Sequence, residues 1–139
     1  MSNYFKQVMI IDDNKIDRWL LRKNITNTKL AAEIIDAETG VEAIEILTAF
    51  ADQHKEFPEL IFLDMNMPML SGMEFLAAFD NMIDVVENNT RIVITCSVYD
   101  MDEKSRVYSY DFVIGYFMKP LKDEALIQVI EKMRHNTAS

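Results

Sequence analysis

Cysteine is almost missing from this chain: Cys96 stands alone, so no internal disulfide can form and a reducing, cytoplasmic setting is expected. Glycine and proline number only three each, which argues against a flexible linker and for one domain spanning residues 1–139. No apolar run approaches the ~20 residues needed to cross a bilayer. Ser2-Asn3-Tyr4-Phe5-Lys6-Gln7 does not read as a signal peptide either, so membrane insertion is not expected. Basic charge is also short. Fourteen Lys and Arg against twenty-three Asp and Glu give a formal charge of −9, with no basic stripe to override it, which speaks against direct nucleic-acid contact. A Walker-type glycine-rich loop is absent too, so a nucleotide is not the expected phosphoryl carrier.

What is present is an alternation of apolar runs and amphipathic segments, in a chain whose residues are half hydrophobic and 27% charged. Val8-Met9-Ile10-Ile11, Ala32–Ala37, Leu60-Ile61-Phe62-Leu63, Arg91–Cys96 and Phe112–Met118 read as five strands, the middle ones buried on both faces. Between them lie segments with helical periodicity. Ile16, Trp19, Leu20 and the stem of Lys23 share one face. Val41, Ile44, Leu47 and Ala51 share a second, and Met73, Leu76, Phe79, Ile83 and Val86 a third. Leu126, Ile130 and Met133 mark the last helix. Asp100 to Tyr110 is polar, with only Met101, Val107 and Tyr108 to pack, and predicts a short, loosely held helix. Asn14 with Asp17, Thr39 with Glu42, and Ser71 with Glu74 have the spacing of helix caps. Strand followed by helix, five times over, predicts an α/β fold: a doubly wound, flavodoxin-like parallel sheet of order 2-1-3-4-5 with helices on both faces.

In that arrangement every strand's carboxyl end points to one edge. The polar residues there are Asp12-Asp13, Asp64, Thr95 and Lys119. Three carboxylates brought together repel one another unless a cation joins them. Oxygen-only donors select a hard ion, and few protein ligands favour Mg²⁺ keeping several waters. Lys119 and Thr95 suit the oxygens of a transferred phosphoryl group, and a carboxylate is the candidate nucleophile. His54 and His135 fall in a polar loop and the C-terminal tail, away from the cluster.

These motifs together resemble the receiver domain of two-component response regulators, of the chemotaxis type that consists of that domain alone. They are Asp12-Asp13, then Asp64-Met65-Asn66-Met67-Pro68-Met69-Leu70-Ser71-Gly72, then Thr95, and last Gly115-Tyr116-Phe117-Met118-Lys119-Pro120. The resemblance covers nearly the whole chain. It implies that Asp64 is phosphorylated by a histidine kinase or phosphotransfer protein, without the chain being an enzyme in the usual sense. Asp13 and Asp64 would ligate Mg²⁺ by side chain and Asn66 by its backbone carbonyl, with Asp12 acting through water. Lys119 would bind the phosphoryl group, Thr95 would move to it, and Tyr116 would be the aromatic switch that follows. The implied role is a stand-alone regulator in a phosphorelay, with no output domain and possessing self-catalysed phosphorylation and dephosphorylation. A target protein would read the surface around the fourth helix and fifth strand.

Two features depart from the family pattern. The connection before the third strand is long, and Thr95 and Lys119 stand slightly further apart than usual (119 − 95 = 24), which leaves Ser97 as a substitute for Thr95. Three other readings compete. A Mg²⁺-dependent phosphatase would use Asp64 as nucleophile but normally places an acid two residues later, where this chain has Asn66. A constitutive docking module would leave Asp13, Asp64, Thr95 and Lys119 without a use. A flavoprotein would need a Ser/Thr/Gly-rich turn where this chain has Asp12-Asp13. Residue by residue there are plainer accounts: a helix N-terminal charge pair at Asp12-Asp13, an Asx turn at Asp64, strand-end punctuation at Lys119, and packing at Thr95 and Tyr116. Met65, Met67 and Met69 are candidates for a soft rim beside the acids, and Cys96 for an inert buried thiol.

Overall fold

Five runs rich in β-branched and large apolar residues pair into a single parallel sheet in the computed structural model, which describes residues 4–83 and 89–138. The strands are β1 (Phe5–Ile11), β2 (Ala31–Ala37), β3 (Leu60–Asp64), β4 (Arg91–Cys96) and β5 (Val113–Met118). Helices α1 (Lys15–Asn27), α2 (Gly40–Asp52), α3 (Gly72–Ile83), α4 (Met101–Val107) and α5 (Asp123–Ala138) fill the crossovers. The spatial order is β2-β1-β3-β4-β5, as the alternation predicts. No helix among the described residues is long and apolar enough to cross a membrane.

Both faces of the sheet are covered, and the pleat divides the strands between two cores. Met9 and Ile11 of β1 and Ile61 and Leu63 of β3 meet Leu47, Phe75 and Phe79 on one side. Val8 and Ile10 of β1 and Leu60 and Phe62 of β3 meet Leu21, Ile25, Leu126 and Val129 on the other. All five residues of β3 are buried, Asp64 included. A charge at the end of such a strand is therefore held inside the protein rather than at its rim.

The caps form where the spacing puts them. Asn14 accepts from the Asp17 N–H at 2.9 Å and Thr39 from the Glu42 N–H at 3.0 Å. Ser71 and Glu74 satisfy each other's backbone N–H groups at 3.0 and 3.2 Å, a reciprocal capping box that starts α3. Asp100, absent from the sequence-level caps, receives the N–H groups of Asp102 and Glu103 and opens α4.

Three expectations about faces need correction. Ile16, Trp19 and Leu20 do share a face of α1, but it points to solvent, with Ile16 68% and Trp19 59% exposed. The helix carries a second stripe, Arg18, Leu21 and Ile25, and that stripe is buried, because Leu21 and Ile25 fill the gap between β1 and α5. Val41 of α2 is likewise outward, with Ala43 and Leu47 inward. In the third place, Met65 and Met67 form no rim: both are buried in the core, and only Met69 is exposed. Of the α4 packing candidates, Val107 alone is buried. Val86 lies outside the described residues. His135, assigned to the tail, falls within α5.

The loop from Asp64 to α3 is tightly packed at two points. A Cβ on Gly72 would stand 2.8 Å from the Met65 Cα, so only glycine admits this approach. Met69 has φ 69°, left-handed backbone that a non-glycine residue adopts at a cost of about 1–2 kcal/mol. Gly72→Ala is therefore expected to destabilise by roughly 1–3 kcal/mol. Met69→Gly, at an exposed site, is expected to stabilise by about 0.5–1 kcal/mol. Urea unfolding of the two variants beside the wild type checks both signs.

Candidate functional site

Parallel pairing delivers the strand-end residues to one edge. Ile11 of β1 leads directly into Asp12-Asp13, Asp64 closes β3, and Lys119 follows β5. Asp64 stands in register with Thr95 of β4, and Cys96 of β4 with Met118 of β5. The Lys119-Pro120 peptide is cis, and the Lys119 N–H donates to the Cys96 carbonyl at 2.8 Å.

Lys119 sits at the centre. Its Nζ lies 2.8 Å from Asp12 Oδ2, 3.0 Å from Asp17 Oδ2 and 3.2 Å from Asp64 Oδ2. Burial alone would lower its pKa, but the hydrogen bonds to Asp12 and Asp17, with the charges of Asp12 and Asp64, raise it above the ordinary lysine value. The ammonium is thus kept charged. Asp64 is affected the opposite way. Burial pushes its carboxyl up to about 6, aided by the charge of Asp12 and opposed by the Asn66 N–H and by Lys119. That N–H donates to Asp64 Oδ1 at 3.1 Å and fixes the carboxylate plane.

Asp12 is held as firmly. The Asn14 N–H donates to its Oδ1 at 2.9 Å, and the buried Arg18 guanidinium donates to its backbone carbonyl at 2.7 Å. Asp13 is exposed. Carboxylate oxygens of Asp12, Asp13 and Asp64 can all be found within 4.8 Å of one another. Three carboxylates, Asp12, Asp17 and Asp64, contact the ammonium of Lys119, and Asp13 lies close to two of them, so the pocket has surplus negative charge. An all-oxygen donor set, with one member open to water, fits a small hard cation that keeps part of its hydration.

Thr95 is buried beside Asp64, its hydroxyl donating to the Leu63 carbonyl at 3.4 Å, whereas Ser97 is exposed beyond the strand. The register therefore favours Thr95. Tyr116 is buried and tied to α4: its hydroxyl donates to Glu103 Oε1 at 2.8 Å and accepts from the Asp100 N–H at 3.3 Å. Its ring also meets Tyr99 edge-on. Burial first, then hydrogen bonds with Cys96 and Glu103, raises the tyrosine's pKa. Burial also raises that of Cys96. Of the long interval between Thr95 and Lys119, α4 occupies only Met101–Val107.

Sequence reasoning missed Asp17, Arg18 and Glu103. Asp17 falls in the first turn of the helix that starts just after Asp12-Asp13, and this nearness to the acidic pair was the one available signal. Arg18 and Glu103 gave none.

Comparison with known proteins agrees with this geometry. Residues 8–131 match the family described as "Response regulator receiver domain". The chain is 29% identical over 126 residues to the chemotaxis protein CheY of Halobacterium salinarum, covering 90% of this chain and 93% of that one. It is 26% identical over 129 residues to sporulation initiation phosphotransferase F of Bacillus subtilis, covering 91% and 92%. Among solved structures, a two-component response regulator from Cytophaga hutchinsonii superposes with a TM-score of 0.87 at 26% identity, covering 96% of this chain and 99% of that one.

Burial of Asp64 has a measurable consequence. Its folded pKa of about 6 exceeds the ordinary value of 3.8, so between these pH values the folded state binds more protons than the unfolded one. Its contribution to stability is present below about pH 4 and is lost as the pH rises through 6. Asp64→Asn is therefore expected to stabilise the metal-free protein by roughly 1–3 kcal/mol at pH 7.5, with the gain vanishing near pH 4. Urea melts across that range in a chelator-containing buffer check it.

Proposed function

The chain belongs to the response regulator receiver family, and from that premise we propose that it is a phosphorelay switch whose phosphoryl acceptor is Asp64. Receiver domains are phosphoacceptors that work with histidine kinases or phosphotransfer proteins and with downstream targets. The observation that carries the assignment to Asp64 is its position. It is a carboxylate buried at the carboxyl end of the central strand, one oxygen facing Lys119 at 3.2 Å and the other fixed by the Asn66 N–H. The name of the Bacillus relative, a phosphotransferase, supports the same chemistry.

In the proposed step an Asp64 oxygen attacks phosphorus along the line of the leaving group. A P–O bond to Asp64 forms, and the P–N bond to a phosphohistidine imidazole breaks, its nitrogen keeping the electron pair. Lys119 neutralises charge on the transferred oxygens and donates hydrogen bonds to them. Receiver domains bind Mg²⁺ through an acidic cluster such as Asp12, Asp13 and Asp64. Asp13, Asp64 and the Asn66 carbonyl would hold the ion directly and Asp12 through water. When bound, the ion supplies Lewis-acid neutralisation of the phosphoryl oxygens and of the surplus carboxylate charge. In hydrolysis a water oxygen forms a new bond to phosphorus while the P–O bond to Asp64 breaks, the carboxylate keeping the electron pair, and inorganic phosphate leaves.

For the signal to leave, the hydroxyl of Thr95 would exchange the Leu63 carbonyl for a phosphoryl oxygen. Tyr116 and its bonds to Glu103 and Asp100 would carry that shift to the start of α4. The exposed Val98, Tyr99, Met101 and Met118 around this end give a target protein apolar surface to read. On the opposite side of the pocket, exposed Ile16, Trp19 and Leu20 of α1 suit the approach of the phosphoryl donor.

Incubation with a small phosphodonor such as phosphoramidate, followed by intact-protein mass measurement, tests the acceptor. One phosphoryl adduct that depends on Mg²⁺ is expected, and none in Asp64→Asn. An adduct of equal yield in that variant would sink the assignment. For the output surface, amide shifts between Asp100 and Tyr116 are expected to move on phosphorylation. A spectrum unchanged there, with the adduct present, would refute this route.

A further inference from the structure

We propose that Asp17 is a positioning residue that holds part of the Lys119 charge away from the acceptor carboxylate, and so sets the rate at which the pocket takes a phosphoryl group. The inference rests on Asp64 being that acceptor. An ammonium has three N–H donors. Those of Lys119 face three carboxylates, Asp12 at 2.8 Å, Asp17 at 3.0 Å and Asp64 at 3.2 Å, so Asp64 has the longest contact of the three.

Asp17 differs from the other two in origin and in exposure. Asp12 and Asp64 belong to the sheet edge, and their side chains are only 7% and 3% exposed. Asp17 comes from α1, 102 positions before Lys119 in the chain, and its side chain is 33% exposed. It is the carboxylate that water can most readily solvate once the contact breaks. A phosphoryl group on Asp64 adds acceptor oxygens next to Lys119, and a donor spent on Asp17 is not available to them. The charge of Asp17 also opposes the entry of an anionic donor. Both effects act in the same direction: Asp17 slows acquisition of the phosphoryl group.

Phosphorylation by phosphoramidate is measured for the full chain with Mg²⁺, in wild type, Asp17→Asn, Asp17→Glu and the distant charge control Glu56→Gln. Asp17→Asn is expected to raise the second-order rate about three- to tenfold, the range for removing one charge near a partly buried site. Asp17→Glu, which restores the carboxylate, and Glu56→Gln are expected to stay within about twofold of wild type. A rate in Asp17→Asn that is unchanged or lower overturns the proposal. A purely structural role would lower stability without raising the rate. Competitive acetylation of lysines with acetic anhydride, read by peptide mass, tests the hold on Lys119 without phosphorylation. Lys119 is expected to react several-fold faster in Asp17→Asn, with other lysines as internal references, and equal reactivity also overturns the proposal. A wild type that takes no phosphoryl group while its Lys119 acetylation responds to Asp17→Asn would instead refute the assignment of Asp64.

Discussion

The ammonium of Lys119, inserted among carboxylates at the edge of the sheet, is the interaction on which the rest of the site depends. Asp12 and Asp64 are almost fully buried, and bringing two such charges together inside a protein is unfavourable unless a counter-charge accompanies them. Lys119 supplies it from the far end of β5, and the neighbouring Cys96 carbonyl holds its backbone in place. Lys119 does not offset the whole cost: burial first, and the charge of Asp12 after it, still push the Asp64 carboxyl up. A small cation among these carboxylates would offset the charge that Lys119 leaves unbalanced.

The architecture confines this chemistry to one place. A parallel sheet covered on both faces requires apolar strands, so polar side chains can collect only where the strands end. The described helices begin there too, and their starts are used. Asn14, which caps α1, gives its N–H to Asp12, and the first turn of that helix carries Asp17 to Lys119. The cap of α4, Asp100, gives its N–H to Tyr116. Pocket and surface are thereby joined by short bonded chains, of the kind that turn a local change of charge into a change of shape.

Much of this was legible in the chain itself. Apolar runs located all five strands within a residue or two except β1, whose start at Phe5 precedes the apolar run by three residues. The capping pairs Asn14–Asp17, Thr39–Glu42 and Ser71–Glu74 form as their spacing implies, because a cap is a local bond between neighbours. The face of α1 was misjudged because the helix carries two apolar stripes, and periodicity alone does not choose between them. The methionines after Asp64 were misjudged because a loop lacks a period, so only its packing against Gly72 shows that Met65 points inward.

The sequence by itself determined the strand order and the identity of the residues at each strand's carboxyl end. The strand-end residues follow from the apolar runs that stop there, and the order is the small doubly wound arrangement that alternating elements and right-handed crossovers favour. The tertiary structure alone decided that Asp17 shares Lys119, that Arg18 braces Asp12 and that Tyr116 is bound to Glu103. Each of these contacts depends on how far a helix is rotated about its own axis against the sheet. That rotation is set by the packing of Leu21, Ile25 and Val107 into the two cores, a balance of many contacts that no single segment encodes.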